Sequence, residues 1–475
     1  MAYDCFKRAR SFRRGRMEYK EFLKSKEFKH HSSGFDIDRA SLNPYAFEFQ
    51  KDIIKWALKK GRSAIFADCG LGKTLMQLDF AYQVHKHTEE DVLIIAPLAV
   101  SKQTKREGEK FGIEVNICRK QADVKQGINI TNYEMLEHFD PSKFSGVVLD
   151  ESSILKSFAG KLRNEIIDKF YHTPYKLACT ATPAPNDFME LGNHSEFLGV
   201  MTRSEMLATY FVHDSGDTAK WRLKGHAQDD YWKWVASWAI VIKSPTDLGY
   251  NMTGYDLPEL NFITHIIPSE VGHYELVVKV AETLQERREA RKESLEKRVK
   301  TSAEIVNNYD DNWLVWCDYN DESAALTKAI NGAVEVKGSD KPDHKETAGI
   351  DFANGNIKAL VSKPSIYGFG MNWQNCNNII FCGLSDSYEK FYQAVRRCWR
   401  FGQEKEVNVH IVISEKEMNV LENIKRKERQ EQEASDNMIR LMKETTLSEI
   451  RNTARNIEIY EPVEKIMIPD WIKEA

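Results

Sequence analysis

The 475-residue sequence has no apolar run that approaches the roughly 18–20 residues needed for a membrane-spanning helix. Its first residues, Met1–Arg8, have no apolar core behind their charges, so we expect no secretory signal. The eight cysteines are scattered and none forms a Cys-x-x-Cys pair, which argues against a structural zinc site. These absences predict a reduced intracellular protein that does not bind a membrane.

An excess of charge of one sign is also missing, because 67 Lys and Arg stand against 71 Asp and Glu, a formal net charge of −4. This balance excludes a protein coated in positive charge. It leaves room for a local basic surface, since a nucleic acid meets the distribution of charge and not its total. Residues 1–40 form a basic N-terminal extension, whose first 30 residues hold ten Lys or Arg and four Asp or Glu. Two interpretations stay open: an arm that binds nucleic acid, or a soluble terminus.

Short apolar runs alternate with amphipathic stretches in two successive sets. Continuous apolar runs bounded by turn residues are typical of strands buried on both faces of a parallel sheet. The predicted strands are Ser63–Ala67, Val92–Ala96, Gly146–Leu149 and Lys176–Cys179 in the first set, and Trp313–Cys317, Lys358–Val361, Asn378–Cys382 and Asn408–Ile413 in the second. Repeated β-α units predict an α/β fold with two tandem domains.

Two segments do not follow this pattern. Residues 187–245 suggest a helical insertion rich in tryptophan, either for packing or as a platform on which bases stack. Residues 270–305 carry dense mixed charge at helical spacing, which predicts a long, exposed helical protrusion.

The strongest local signal follows the first predicted strand, opens a helix-like run and ends in Gly70-Leu71-Gly72-Lys73-Thr74. Small residues let the backbone curl so that its N–H groups face phosphates, and the helix N-terminus adds partial positive charge. Lys73 would reach the β- and γ-phosphates, and the Thr74 hydroxyl would coordinate Mg²⁺. The segment therefore predicts an ATP-binding phosphate loop.

A second element, the acidic pair Asp150-Glu151, ends another apolar strand. Asp150 would hold Mg²⁺, and Glu151 would orient or deprotonate the attacking water. Hydrolysis also needs cations for the charge on the transferring phosphoryl group. Arg397 and Arg400 are three residues apart and lie in the second predicted α/β domain, whereas Lys73 lies in the first. An ATP in the cleft would thus be held from both sides.

From about Leu42 to Gln403 these segments together resemble the superfamily-two helicases, specifically the Swi/Snf-type branch of DNA translocases. The resemblance implies two RecA-like P-loop domains. It also implies that Gln50 reads the adenine edge, with Phe47 or Tyr45 near the base, and that Gly370 lies in an ATP-binding motif. The residues implied to couple nucleotide state to DNA are Thr180, Thr182 and Gln393, and those implied along the DNA path are Pro97, Lys102, Thr131, Ser362, Asn372 and Trp373.

One departure from the family pattern follows the acidic pair. Ser153 stands where the family has Asp or His, a residue that helps to couple this motif to later ones. The metal and base residues themselves are intact.

The resemblance implies an ATP- and Mg²⁺-dependent DNA translocase or helicase that contacts mainly phosphates. The compact layout and the variant Asp150-Glu151-Ser152-Ser153 indicate the cytoplasm of a bacterial or phage-infected cell. A replication, recombination or nuclease partner is possible. Two alternatives stay open: a helicase that separates or re-anneals branched DNA or RNA, and a nucleotide-gated recruitment protein with little turnover. We expect a first RecA-like domain at residues 41–257, a second at 258–440 and a C-terminal brace at 441–475.

Overall fold

The computed structural model of the protein describes residues 34–97, 100–156, 160–184, 187–214, 217–252, 254–255, 257–269, 283–367 and 371–450. The first 30 residues, Gly370 and most of the predicted C-terminal brace lie outside this part of the chain. The expected α/β fold with two tandem parallel sheets is confirmed.

The first sheet has seven strands in the order β3-β4-β2-β5-β6-β1-β9, and every neighbouring pair is parallel. The first nine strands of the chain are β1 Arg62–Ala67, β2 Asp91–Ala96, β3 Val115–Ile117, β4 Ile128–Asn132, β5 Phe144–Asp150, β6 Tyr175–Thr180, β7 Phe211–Asp214, β8 Asp217–Leu223 and β9 Ala239–Ile242. All four predicted strands of the first set are present, each extended by one to three residues.

The α-helices described up to β9 are α1 Glu48–Lys60, α2 Lys73–Thr88, α3 Ser101–Lys110, α4 Lys161–Lys169, α5 Leu191–Leu198, α6 Arg203–Tyr210 and α7 Gln228–Ala236. Helix α1 begins where Gln50 Oε1 accepts the Phe47 backbone N–H at 2.8 Å, and it ends at Gly61, whose φ is 72°. Helix α2 starts directly after Gly72, which has left-handed backbone angles.

The predicted helical insertion is only partly helical. It contains α5, α6 and α7, but β7 and β8 form an antiparallel hairpin and β9 joins the edge of the first sheet beside β1. Trp232 and Trp238 are fully buried in the core on one face of that sheet. The packing interpretation is therefore confirmed for these two side chains, and the base-stacking interpretation is wrong for them.

The second sheet has six parallel strands in the order β10-β15-β14-β11-β13-β12. Its strands are β10 Leu260–Ile267, β11 Trp313–Trp316, β12 Ala333–Glu335, β13 Ala359–Ser362, β14 Asn378–Cys382 and β15 Val407–Ser414. The helices are α8 Leu284–Glu293, α9 Leu295–Asn307, α10 Asn320–Ala329, α11 Pro342–Ala353, α12 Pro364–Tyr367, α13 Tyr388–Val395 and α14 Met418–Ile450. None of the described helices has the length and apolar character needed to cross a membrane.

The charged protrusion is not simply an exposed helix. Its described part is the pair α8 and α9, and two of its arginines face the second domain. Arg298 is completely buried and pairs with Glu322 at 2.8 Å, while Arg291 pairs with Asp318 at 2.9 Å. Buried arginines need such partners, so this face of the helical pair is a structural element of the second domain.

Helix α14 connects the two domains over 33 residues, a length of about 50 Å. Near its start, Val420 and Ile424 pack into a core of the second sheet. Farther along, Met438 and Met442 are buried in a core of the first sheet. The brace predicted for residues 441–475 stays a prediction, but a helix that begins more than 20 residues earlier packs against the cores of both sheets.

Candidate nucleotide site between the two sheets

The predicted site residues of the first domain converge because they follow the carboxyl ends of neighbouring parallel strands. Phe66 of β1 is in register with Thr180 of β6, and Asp150 of β5 is in register with Cys179. The loop after β1, the acids after β5 and the threonines after β6 therefore share one edge of the sheet. This edge is where open α/β sheets bind ligands.

Two glycines allow the loop after β1 to form. Gly70 and Gly72 have φ angles of 91° and 76°, a region that side chains other than glycine rarely adopt. A Cβ on Gly72 would lie only 2.2 Å from Gln50 Nε2. Gln50 is buried there and donates Nε2–H to the Leu71 carbonyl at 2.9 Å. Its amide thus supports the loop and keeps a second N–H and a second oxygen lone pair for another partner.

Lys73 and Thr74 occupy the first turn of α2, beside the loop. Lys73 Nζ donates to the carbonyls of Ala67 at 2.8 Å and Asp68 at 3.2 Å. Both acceptors are neutral, so a phosphate at the helix N-terminus would be a stronger partner for the ammonium group.

Asp150 is held by a residue that the sequence interpretation missed. Gln77 Nε2 donates to Asp150 Oδ1 at 2.7 Å. Although Asp150 keeps some exposure to the cleft, desolvation raises its pKa, and the hydrogen bond from Gln77 and the charge of Lys73 oppose this shift. A signal was present in the sequence, because Gln77 lies four residues after Lys73 and therefore on the same helix face.

Glu151 has a backbone φ of 53°, one of two positive φ values among the described non-glycine residues. Such a conformation costs about 1–3 kcal/mol and is found where the surroundings hold a functional side chain in place. Thr180 Oγ1 donates to Glu151 Oε2 at 3.3 Å, and Thr180 Oγ1 also accepts the Thr182 backbone N–H at 3.2 Å. Desolvation raises the pKa of Glu151 to about 7, although the positive charge of Lys73 acts to lower it.

The second domain brings its arginines to the same place. A Cβ on Gly70 would lie 3.1 Å from the Phe401 backbone nitrogen and 3.8 Å from Arg400 Cβ. Arg397 donates to the carbonyls of Met371 at 3.0 Å and Gln393 at 3.1 Å. Desolvation lowers the pKa of Arg397, and it lowers that of Arg400 to about 10, so both guanidinium groups would gain from an anionic partner.

Four buried polar atoms near the cleft have no hydrogen-bond partner among the described residues. They are Thr182 Oγ1, Gln393 Nε2, Arg396 Nε and Arg400 Nε. Buried polar groups are nearly always paired, so such atoms indicate a missing ligand, ion or water. All four can donate a hydrogen bond, which fits a phosphate with many acceptor oxygens. The residues present therefore fit a nucleoside triphosphate with its divalent cation.

Sequence reasoning also missed a direct contact between the domains at the phosphate loop. Arg396 Nη2 pairs with Asp68 Oδ2 at 2.6 Å and donates to the Cys69 carbonyl at 2.9 Å. The Tyr392 hydroxyl donates to the other oxygen of Asp68. The neighbouring Arg397 was predicted and Arg396 was not, because no sequence motif identifies an arginine whose role is to bind the phosphate loop of the other domain.

Another contact between the domains is made by residues that come shortly after Glu151 in the chain. Glu389, in α13 of the second domain, accepts a hydrogen bond from Ser153 Oγ at 2.8 Å. Its other carboxylate oxygen pairs with Lys156 Nζ. The departure from the family pattern at Ser153 therefore has a partner in this chain.

Aromatic side chains form one end of the cleft. The Phe47 ring is 6.4 Å from both Tyr255 and Phe401, whose rings are 4.5 Å apart. Tyr45 instead lies beside Phe111, at 6.1 Å. Of the two residues expected near the base, Phe47 is thus the one that faces the second domain.

The six residues predicted along the DNA path fall into two groups. Pro97, Lys102 and Asn372 keep exposed surface, and Asn372 accepts a hydrogen bond from Arg400. Thr131, Ser362 and Trp373 are at most 1% exposed. The Ser362 hydroxyl donates to the Val336 carbonyl, and Trp373 Nε1 donates to the Gly349 carbonyl. These three are core residues in this conformation and have no surface with which to touch DNA.

Two family models match the chain. The SNF2-related domain matches residues 49–211, and the helicase conserved C-terminal domain matches residues 296–402. Together the two ranges make up more than half of the chain.

Several curated proteins are similar in sequence. Helicase SWR1 of Debaryomyces hansenii is 27% identical over 184 residues, which are 34% of this chain and 11% of that protein. Chromatin remodeling factor mit1 of Schizosaccharomyces pombe is 27% identical over 212 residues, 39% of this chain and 15% of that protein. The chain thus spans less than a sixth of the length of these relatives. Putative protein p41 of Acyrthosiphon pisum secondary endosymbiont phage 1 is 25% identical over 430 residues, 77% of this chain and 92% of that protein.

Among solved structures, the Sulfolobus solfataricus SWI2/SNF2 ATPase core in complex with dsDNA matches 87% of this chain and 98% of its own. The sequence identity is 17% and the TM-score is 0.42.

Proposed function

The chain belongs to the Swi/Snf-type branch of the superfamily-two helicases, and from this premise we propose that it is an ATP-driven motor that moves along duplex DNA. The observation that carries the proposal is the meeting of both domains at one cleft. The loop of Lys73 and the acids Asp150 and Glu151 come from the first domain, and Arg397 and Arg400 come from the second.

In this proposal the first domain binds the nucleotide. Backbone N–H groups of Gly70, Leu71 and Gly72 surround the phosphates, and Lys73 exchanges its carbonyl partners for the β- and γ-phosphates. The free N–H and lone pair of Gln50 suit the adenine edge. Gly370 stays a proposed ATP-binding residue on the resemblance alone.

Mg²⁺ would be held by Thr74 and Asp150, and when bound it would supply positive charge against the phosphates. Glu151 takes a proton from the attacking water as the water oxygen bonds to the γ-phosphorus and the bond from the γ-phosphorus to the leaving oxygen of ADP breaks. Arg397 and Arg400 stabilise the charge on the transferring phosphoryl group.

The hydrolysis step reaches the DNA through residues next to Glu151. Thr180 donates a hydrogen bond to Glu151, and Thr182 is connected to Glu151 through its own hydrogen bond to Thr180. Gln393 lies on α13 of the second domain. We propose that these residues move the two domains relative to each other as the phosphate leaves, so that DNA bound across both domains is shifted. Pro97, Lys102 and Asn372 remain the proposed DNA contacts, largely to phosphates. The similarity to a phage protein supports action in a bacterial or phage-infected cell.

The test is the ATPase rate measured in parallel with no nucleic acid, single-stranded DNA, duplex DNA, forked DNA and RNA. We expect the largest stimulation by duplex DNA. Stimulation by RNA alone would contradict the proposal in favour of an RNA helicase. Absence of hydrolysis with every nucleic acid would favour a nucleotide-gated recruitment protein.

A further inference from the structure

Glu389 connects the second domain to the segment that follows the predicted general base. One carboxylate oxygen accepts the hydrogen bond from Ser153 Oγ at 2.8 Å, and the other pairs with Lys156 Nζ. Ser153 is only two residues after Glu151, in the 3-10 helix Ser152–Lys156, so Glu389 contacts the segment that sets the backbone position of Glu151.

The helix that carries Glu389 also carries the second domain's side of the cleft. Gln393 lies one helical turn after Glu389, and Arg396 and Arg397 follow the end of the helix. The same helix is anchored to the phosphate loop, because Tyr392 and Arg396 both contact Asp68. Glu389 is therefore mechanically joined to the arginines.

Burial and charge complementarity make this contact more than a surface ion pair. The Glu389 side chain is 13% exposed and that of Lys156 is 39% exposed, so water screens the pair only in part. A carboxylate at position 153 would face the carboxylate of Glu389, and the two would repel each other. The hydroxyl of Ser153 instead donates to it, so the identities of these two residues fit each other.

From this geometry we propose that Glu389 is a positioning residue for hydrolysis, which aligns Glu151 with the arginines of the second domain through Ser153 and Lys156. Glu389 does not touch the reacting atoms. Its contacts fix the backbone of the base when the cleft is closed, and their loss leaves ATP binding intact while the base is misplaced. This inference rests on the proposed ATPase function.

The test is a charge swap between Glu389 and Lys156 in the full chain. Glu389→Lys and Lys156→Glu each place like charges together, and the double variant restores an opposite pair. We expect each single variant to lose about 10- to 100-fold in duplex-stimulated kcat, the scale of a small misplacement, with the Kd of an ATP analogue unchanged within about twofold. The double variant should recover most of the loss.

The matched control is the same swap at Lys300 and Glu304, an exposed ion pair on α9 with 77% and 62% of the side chains exposed. We expect no change in kcat there. If Glu389→Lys sharply lowers the unfolding temperature, Glu389→Gln replaces it in the test, because Gln preserves the shape of the side chain and removes only its charge. Normal kcat in the single variants, or a double variant no better than the singles, would overturn the proposal.

A second readout does not require hydrolysis. Dyes attached through p-azidophenylalanine at Tyr82 and Tyr309, exposed positions in the first and second domains, report the distance between the domains by energy transfer. We expect Glu389→Lys to lower the transfer efficiency and the double variant to restore it. Unchanged efficiency would overturn the proposal, whereas a wild-type chain without ATPase activity would instead contradict the proposed function.

Discussion

Glu151 shows how one residue can combine backbone strain with a chemical role. Its positive φ turns the side chain back toward the strand ends, where Thr180 donates to it. No feature of the sequence predicts that angle, because glutamate has no preference for it and only the surrounding fold imposes it. The chemistry of the residue was predictable from the acidic pair at a strand end, and its geometry was not.

Lys73→Ala should abolish ATP hydrolysis. The substitution removes the ammonium group that now rests on two loop carbonyls and that would reach the phosphates. Steady-state release of phosphate in the presence of duplex DNA measures the effect. The exposed Lys102→Ala variant is a suitable comparison, because it should affect DNA binding and leave basal turnover intact. Near-normal turnover of Lys73→Ala would contradict the phosphate-loop assignment.

Glu151→Gln should keep ATP binding and lose at least about 100-fold in kcat, the scale of a general base. The amide can still accept the hydrogen bond from Thr180 but cannot take a proton from water. Single-turnover hydrolysis together with the Kd of a fluorescent ATP analogue separates the two effects. An unaltered kcat would remove Glu151 from this role.

At the scale of elements, the sequence predicted best where burial is continuous. The central strands β1, β2, β5, β6, β11, β13, β14 and β15 were predicted with small errors at their ends, since each contains a run of consecutive buried side chains that are mostly apolar. Strand β10 was missed because it lies at the edge of its sheet and most of its side chains are partly or fully exposed. Strands β3 and β12 have only three residues each, too few for a periodic signal.

Helix α14 should contribute to stability through the two methionines that it buries in the first domain. Met438 and Met442 are 4% and 1% exposed. Replacing either by alanine leaves a cavity in a packed core, and we expect a loss of about 2–5 kcal/mol in the free energy of unfolding. Urea denaturation measures this loss. Lys443→Ala on the exposed face is the control and should change stability by less than about 0.5 kcal/mol; a Met442→Ala variant as stable as that control would contradict a bracing role.

At the scale of the molecule, the contacts between domains were the least predictable part of the site. Asp68 and Arg396 are more than 300 residues apart in the chain, yet they form a partly buried ion pair across the cleft. Motif spacing identifies residues that act on ATP, because that chemistry restricts residue type. It does not identify the pairs that hold the domains together, since many combinations of opposite charge serve equally well.

The measurement that tests the central claim most directly is displacement of a third DNA strand from a triplex on a linear duplex. A motor that moves along duplex DNA removes the third strand without separating the duplex. We predict rapid release with ATP and Mg²⁺, none with a nonhydrolysable ATP analogue and none with Glu151→Gln. Duplex-stimulated ATP hydrolysis without any ATP-dependent release would contradict movement along DNA.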